Sequence, residues 1–73
     1  MLSLGMQGAD VNELMILLLR HGFLDARDIN LNGQFTLQVQ SAVRVFQRRY
    51  NLTADGIVGP MVLIVLKRLD AGN

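Results

Sequence analysis

The chain contains no cysteine and no tryptophan, a single histidine (His21) and a single proline (Pro60). Without cysteine there are no disulfides and no thiolate metal site. One histidine cannot form a His-rich ligand cluster, so no metal and no cofactor is expected. The formal net charge is +1, too small to attract a nucleic acid on electrostatic grounds. No apolar run is longer than six residues, as in Leu14 to Leu19, far short of the roughly 20 that cross a bilayer. No membrane insertion by this segment is therefore expected. The first residues show no basic stretch followed by an apolar run and a small-residue cleavage site, so this segment carries no signal peptide.

What remains is apolar packing. With 73 residues the chain is read as one domain, 1–73, near the lower size limit for a self-supporting core. Small scaffolds commonly need disulfides or metals to compensate. Here 51% of the residues are hydrophobic, and these must supply the stability alone.

The pattern predicts an all-α, three-helix bundle with helices over about 9–21, 36–50 and 60–69. In the first, Val11, Leu14 and Leu18 recur at helical spacing. Asp10 and Glu13 resemble a capping box, Arg20 and His21 suit the negative end of the helix dipole, and Gly22 ends the helix. In the second, Val39, Val43, Phe46 and Tyr50 mark one buried face. Gln40, Arg44, Gln47 and Arg48 are assigned to the remaining surface, with Thr36 as N-cap and Asn51 as the stop. The third opens with Pro60 at the first helical position and carries Val62, Leu66 and Leu69 on one face. Asp70 to Asn73 is expected to fray.

One turn element occurs twice, as Asn32-Gly33-Gln34-Phe35 and Asp55-Gly56-Ile57-Val58. Asn-Gly and Asp-Gly favour tight turns. Each precedes a helical pattern, so the chain holds two similar turn-helix units. At an offset of 23 residues, Val39 falls on Val62, Val43 on Leu66 and Phe46 on Leu69. The turns serve either structure alone or structure and binding together.

These residues resemble the three-helix type of peptidoglycan-binding domain attached to cell-wall hydrolases and other envelope proteins. That family typically begins Leu-Gly-x-x-Gly-x-x-Val-x-x-Leu, matched by Leu4-Gly5-Met6-Gln7-Gly8-Ala9-Asp10-Val11-Asn12-Glu13-Leu14. Leu18 and Gly22-Phe23 continue the pattern. Its centre resembles Asn32-Gly33-Gln34-Phe35 followed by Ala42-Val43-Arg44-Val45-Phe46-Gln47. Its close is similar to Leu52-Thr53-Ala54-Asp55-Gly56-Ile57-Val58-Gly59-Pro60. The similarity runs from Leu2 to Leu69. The chain departs from the family at Asn32 for Asp, Thr36 for Gly, Val39 and Val62 for Thr, Met15 for Gln, and His21 for Leu.

The resemblance implies a non-catalytic peptidoglycan-binding module that anchors an attached activity to the wall. It implies an extracytoplasmic location, in the periplasm or cell wall, and a segment excised from a longer bacterial envelope protein. It places ligand contacts in a shallow cleft beside the inter-helix loops. The corresponding regions are the loop from Asp25 to Gln34 and the turn around Asp55. The expected ligand-binding set is Asp25, Asp28, Asn32, Gln34, Arg44, Gln47, Arg48, Tyr50 and Asp55.

Other chemistries find little support. A catalytic histidine needs a partner within hydrogen-bond reach, and neither Ser3 nor Ser41 has a nucleophile-like context, so no catalytic residue is assigned. Asp28, Asn30 and Asn32 alternate like calcium ligands, but the closing Glu is missing. Arg44, Arg48 and Arg49 form a basic patch on the second helix. It reads as a solvated face, or as a contact for stem-peptide carboxylates or acidic partner groups. There is no Trp to stack on sugars; Tyr50 and Phe23 are the candidates for a partly exposed ring. Finally, Ile16, Leu17, Leu19 and Ile64 sit at positions that a free-standing bundle would mostly keep polar, and apolar patches mark partner surfaces. The alternative function is thus a protein interaction or oligomerisation domain, with self-association or contact with the rest of a parent chain.

Overall fold

Each of the three predicted helices forms, and each is delimited by a local device that can be named. In the computed structural model, which describes residues 1–72, the order is α1 (Ala9–Arg20), a short 3-10 helix (Ala26–Asp28), α2 (Leu37–Arg49) and α3 (Pro60–Ala71). α2 starts at Thr36, whose Oγ1 accepts the Val39 N–H at 3.3 Å. It ends at Asn51, which adopts φ 58° while the Leu52 N–H reaches back to the Gln47 carbonyl at 2.7 Å. This is a Schellman-type closure with Asn in place of the usual glycine. α1 closes similarly, through Gly22 and a 2.8 Å bond from the Phe23 N–H to the Leu18 carbonyl. Pro60 takes the first turn of α3, where its missing N–H has no intrahelical acceptor to satisfy.

Two expectations about the ends need correction. The capping box at Asp10 and Glu13 does not form. Gly8, which has no side chain, is the N-cap of α1, so Asp10 lies within the first turn rather than at the cap. Nor does the chain fray at Asp70. α3 continues to Ala71, and Asp70 accepts from His21 Nε2 at 3.0 Å, with Arg20 at 3.6 Å. A side-chain anchor to α1 holds that last turn. Asn73 lies outside the described residues.

The core draws on all three helices and both turns. Val11, Leu14, Met15 and Leu18 of α1 meet Val39, Val43 and Phe46 of α2, Val62 and Leu66 of α3, and Phe35 and Val58 from the turns. Phe23 stands edge-on to Phe46 with centroids 5.2 Å apart, and Tyr50 lies 4.9 Å from Phe46. This aromatic group clamps the chain leaving α1 onto the end of α2. Tyr50 is thus a cluster member first, although its edge reaches solvent. Leu17, expected on the surface, is only 6% exposed: the approach of α3 covers that side of α1. Ile16, Leu19 and Ile64 remain exposed.

The segment before α1 straps both turns together. Leu2 exchanges backbone hydrogen bonds with Val58 (3.0 and 2.8 Å). Farther along, the Gly5 N–H reaches the Phe35 carbonyl, the Phe35 N–H reaches the Met6 carbonyl, and the Gly8 N–H reaches the Gly33 carbonyl, at 2.8 to 3.0 Å. These are isolated antiparallel bridges, Leu2 with Val58 and Gln7 with Gln34. Phe35 and Val58, equivalent in the internal repeat, are therefore bonded to the same strap.

The strap leaves no room at the first turn. Gly33 has φ +64°, and a Cβ there would lie 2.8 Å from the Gly8 carbonyl oxygen. At Gly56 (φ +74°) a Cβ would lie 2.7 Å from Gln40 Cγ, an atom on a flexible side chain. Left-handed backbone costs a non-glycine residue about 1–2 kcal/mol. Both Gly33→Ala and Gly56→Ala are predicted to lower unfolding free energy by at least that amount. Gly33→Ala should lower it more, because backbone rather than side chain must move. Urea denaturation of the two variants side by side measures the order.

Candidate functional site

The second turn is held by a side chain from α2. Gln47, only 1% exposed, points its amide into the turn. Its Oε1 accepts the Gly56 N–H at 3.0 Å, and its Nε2 donates to the Ile57 carbonyl at 3.0 Å and to Asp55 Oδ1 at 2.9 Å. The same Asp55 oxygen accepts the Ile57 N–H at 2.9 Å. Gln47 was expected on the surface as a ligand contact. It is instead a buried positioning residue with its amide committed to the turn. The signal was present: Gln47 is one step beyond Val39 and Val43 in the i, i+4 series of the buried face.

Asp55 is held in its ionised form. The Ile57 N–H bond, the Gln47 amide and, more weakly, the charge of Arg44 lower its pKa from the ordinary carboxyl value; desolvation opposes them and loses. The Gln47 and Ile57 bonds both fall on Oδ1. The residue is exposed, so an ionised carboxylate stands at the surface beside the turn.

Beside this turn lies an open groove of about 370 Å³. Gln47, Asn51, Thr53 and Asp55 supply its polar edge, and Ile57, Pro60 and Met61 stand among its apolar residues. Arg44 stands next to the turn, its Nε 3.2 Å from where a Gly56 Cβ would be. Arg48 is exposed farther along α2.

The rest of the expected set is scattered. Asp25 caps the 3-10 helix, its Oδ1 accepting the Arg27 N–H at 3.3 Å and its Oδ2 lying 3.2 Å from Arg27 Nε. Asp25 and Asp28 border a second shallow groove with Phe23, Gln38 and Ser41. Asn32 and Gln34 are exposed at the first turn. That turn is held by a residue the sequence did not single out for the purpose. Asn30 Oδ1 accepts the Gln34 N–H at 2.7 Å, and its Nδ2 donates to the Gln34 carbonyl at 2.9 Å. The amide of Asn30, in the run read against a calcium loop, is thus already occupied. His21, at the end of α1, is paired with Asp70.

Two measurements follow from this geometry. Gln47→Leu removes the acceptor of a buried N–H, and an unmatched buried polar group costs about 1–3 kcal/mol. Thermal or urea unfolding should show a loss of at least that size. For Asp55 the folded-state pKa lies below the unfolded one. Its contribution is therefore fully present above the ordinary carboxyl value of about 4 and is lost as the pH falls through the depressed value. Stability of the parent should decline in that acid window. Asp55→Asn, which keeps an acceptor oxygen but cannot titrate, should show a shallower decline.

A family model described as "Putative peptidoglycan binding domain" matches residues 7–66. No curated protein and no solved structure matches the chain. The matched span includes all of α1 and α2, both turns, the Gln47 amide and the start of α3 up to Leu66. The family is one of binding domains, and it suggests peptidoglycan as the ligand. By fold, by motif order and by this match, the chain belongs to the peptidoglycan-binding domain family.

Proposed function

We propose that this domain is a non-catalytic module that holds peptidoglycan in the groove beside the second turn and anchors an attached activity to the cell wall. The observation that carries the proposal is the Asp55 carboxylate. It is fixed by Gln47 and exposed at the polar edge of a groove that also contains Ile57, Pro60 and Met61. Peptidoglycan stem peptides combine ammonium groups, carboxylates and short aliphatic side chains. Asp55 suits the first, Arg44 and Arg48 suit the second, and the apolar residues suit the third. A shallow, open site of this kind gives modest affinity, as expected of a targeting module bound to an extended polymer.

One departure from the family pattern, Val62, falls in this groove. Met15 and Val39 are buried and take no part in lining the groove, whereas Val62, also buried, is one of its lining residues, so there an apolar side chain stands in the groove wall. Asn32 is exposed at the first turn, while Thr36 caps α2 and His21 meets Asp70, all outside the groove's lining. In this reading Asn32, Gln34, Asp25 and Asp28 lie away from the principal contact. The module belongs in the bacterial envelope, in the periplasm or cell wall, as residues 1–73 of a longer chain that carries the activity.

Co-sedimentation with purified sacculi tests the proposal. The parent should be retained at low salt. Met61→Asp and Arg44→Glu, both at exposed positions, should each weaken retention about tenfold, which corresponds to roughly 1.4 kcal/mol. Absence of retention of the folded parent at low salt would overturn the assignment. Retention unaffected by both substitutions would remove the groove from it.

A further inference from the structure

The groove between α1 and α3, about 330 Å³, has a different character from the one beside the second turn. It is lined by Glu13, Ile16, Leu17, Arg20, Lys67 and Asp70. Leu17 forms its floor. Ile16, on the outer side of α1, is 45% exposed. Ile64, one turn before Lys67 on α3, is 46% exposed and flanks the other side. Leu19 falls on the flank of α1 turned away from α3, because residues 16 and 19 are separated by about 60° around the helix while 17 and 20 lie on the α3 side.

Four charges frame these apolar residues. Glu13 pairs with Lys67 at 3.7 Å, and Arg20 pairs with Asp70 at 3.6 Å. The two helices therefore run in the same direction along this face, and the signs alternate at its corners. The carboxylates lie on one diagonal and the cations on the other. The four charges sum to zero, so the face has no preference for a partner of one sign. It does match itself. A second copy turned over about an axis in the face, either along the helices or across them, lays each carboxylate over a cation. An axis along the helices brings Glu13 over Lys67 of the second copy and Ile16 toward Ile64. An axis across them brings Glu13 over Arg20 and Lys67 over Asp70. Glu13, Arg20 and Lys67 are exposed, and surface pairs of this kind contribute little within one chain, so they exchange partners at little cost while Asp70 keeps its 3.0 Å bond to His21.

We propose that the α1–α3 face is a homodimer interface, in which Ile16 and Ile64 are covered by the same residues of a second copy and the four corner charges pair across it. Two-fold dimers require such a self-complementary patch. The face is small, so the dimer is weak and forms at high local concentration, as on a surface that collects many copies. Its residues differ from those of the groove beside the second turn, so dimerisation and ligand binding are separable.

Sedimentation velocity of the 73-residue chain over a concentration series up to about 1 mM, the Kd that corresponds to roughly −4.1 kcal/mol, tests this. The parent should show a sedimentation coefficient that rises with concentration toward a dimer. Ile16→Asp and Ile64→Asp should each weaken association at least tenfold, with helical circular dichroism unchanged. Glu13→Lys should also weaken it. One of two charge exchanges should restore it: Glu13→Lys with Lys67→Glu for the axis along the helices, or Glu13→Arg with Arg20→Glu for the axis across them. A strict monomer throughout the series would overturn the proposal. So would a dimer indifferent to both isoleucine substitutions, or a Glu13→Lys defect that neither exchange repairs.

Discussion

The buried amide of Gln47 is the interaction on which the second turn and its adjoining groove depend. Its oxygen and nitrogen meet the backbone of Gly56 and Ile57 and the carboxylate of Asp55. A buried primary amide is costly unless its donor and acceptor sites are used, and the second turn uses them. The turn in turn fixes the path from α2 into α3, one side of the adjoining groove, and the orientation of an ionised carboxylate. Packing alone would place α3 against the core through Val62 and Leu66. It would not decide which way the Asp55 oxygens face.

The two turn-helix units look alike in sequence and are secured in different ways. The second is tied to a helix by Gln47. The first is tied within its own loop by Asn30 and pressed against the N-terminal strap at Gly8 and Gly33. Equivalence survives at the apolar anchors: Phe35 and Val58 both enter the core, and both bond to the segment before α1. The repeat thus preserves the parts that bury apolar surface and varies the parts that satisfy polar groups. Only one of the two turns combines a fixed carboxylate with an adjoining apolar groove, which is why the binding proposal rests on one unit rather than on both.

Much of the fold was legible because its signals are local. The spacing of Val39, Val43 and Phe46 reports a helix face. Thr36 and Pro60 report helix starts, and Asn51 and Gly22 report helix ends, because cap geometry depends on a handful of neighbouring atoms. The site was less legible. Gln47 reads as a surface residue by its polarity, although its spacing puts it on the buried face. Asn30 gives no sign that it will grip Gln34. Leu17 and Asp70 were misplaced because their surroundings come from the other helix of the α1–α3 pair.

The sequence by itself determined an all-helical bundle, two glycine turns each opening a helix, and the ordered motif set of a wall-binding family. The first two follow from periodicity and from backbone preferences within a few residues, and the third from resemblance to that family. Tertiary structure alone decided that one glutamine would be buried and fully bonded. It also decided that an N-terminal strap would join both turns, that the helix would continue through Asp70, and that one turn would present its carboxylate beside a groove. Each of these depends on which distant backbone donors and acceptors come within hydrogen-bond reach, and that distance is set by the packed core rather than by any local pattern.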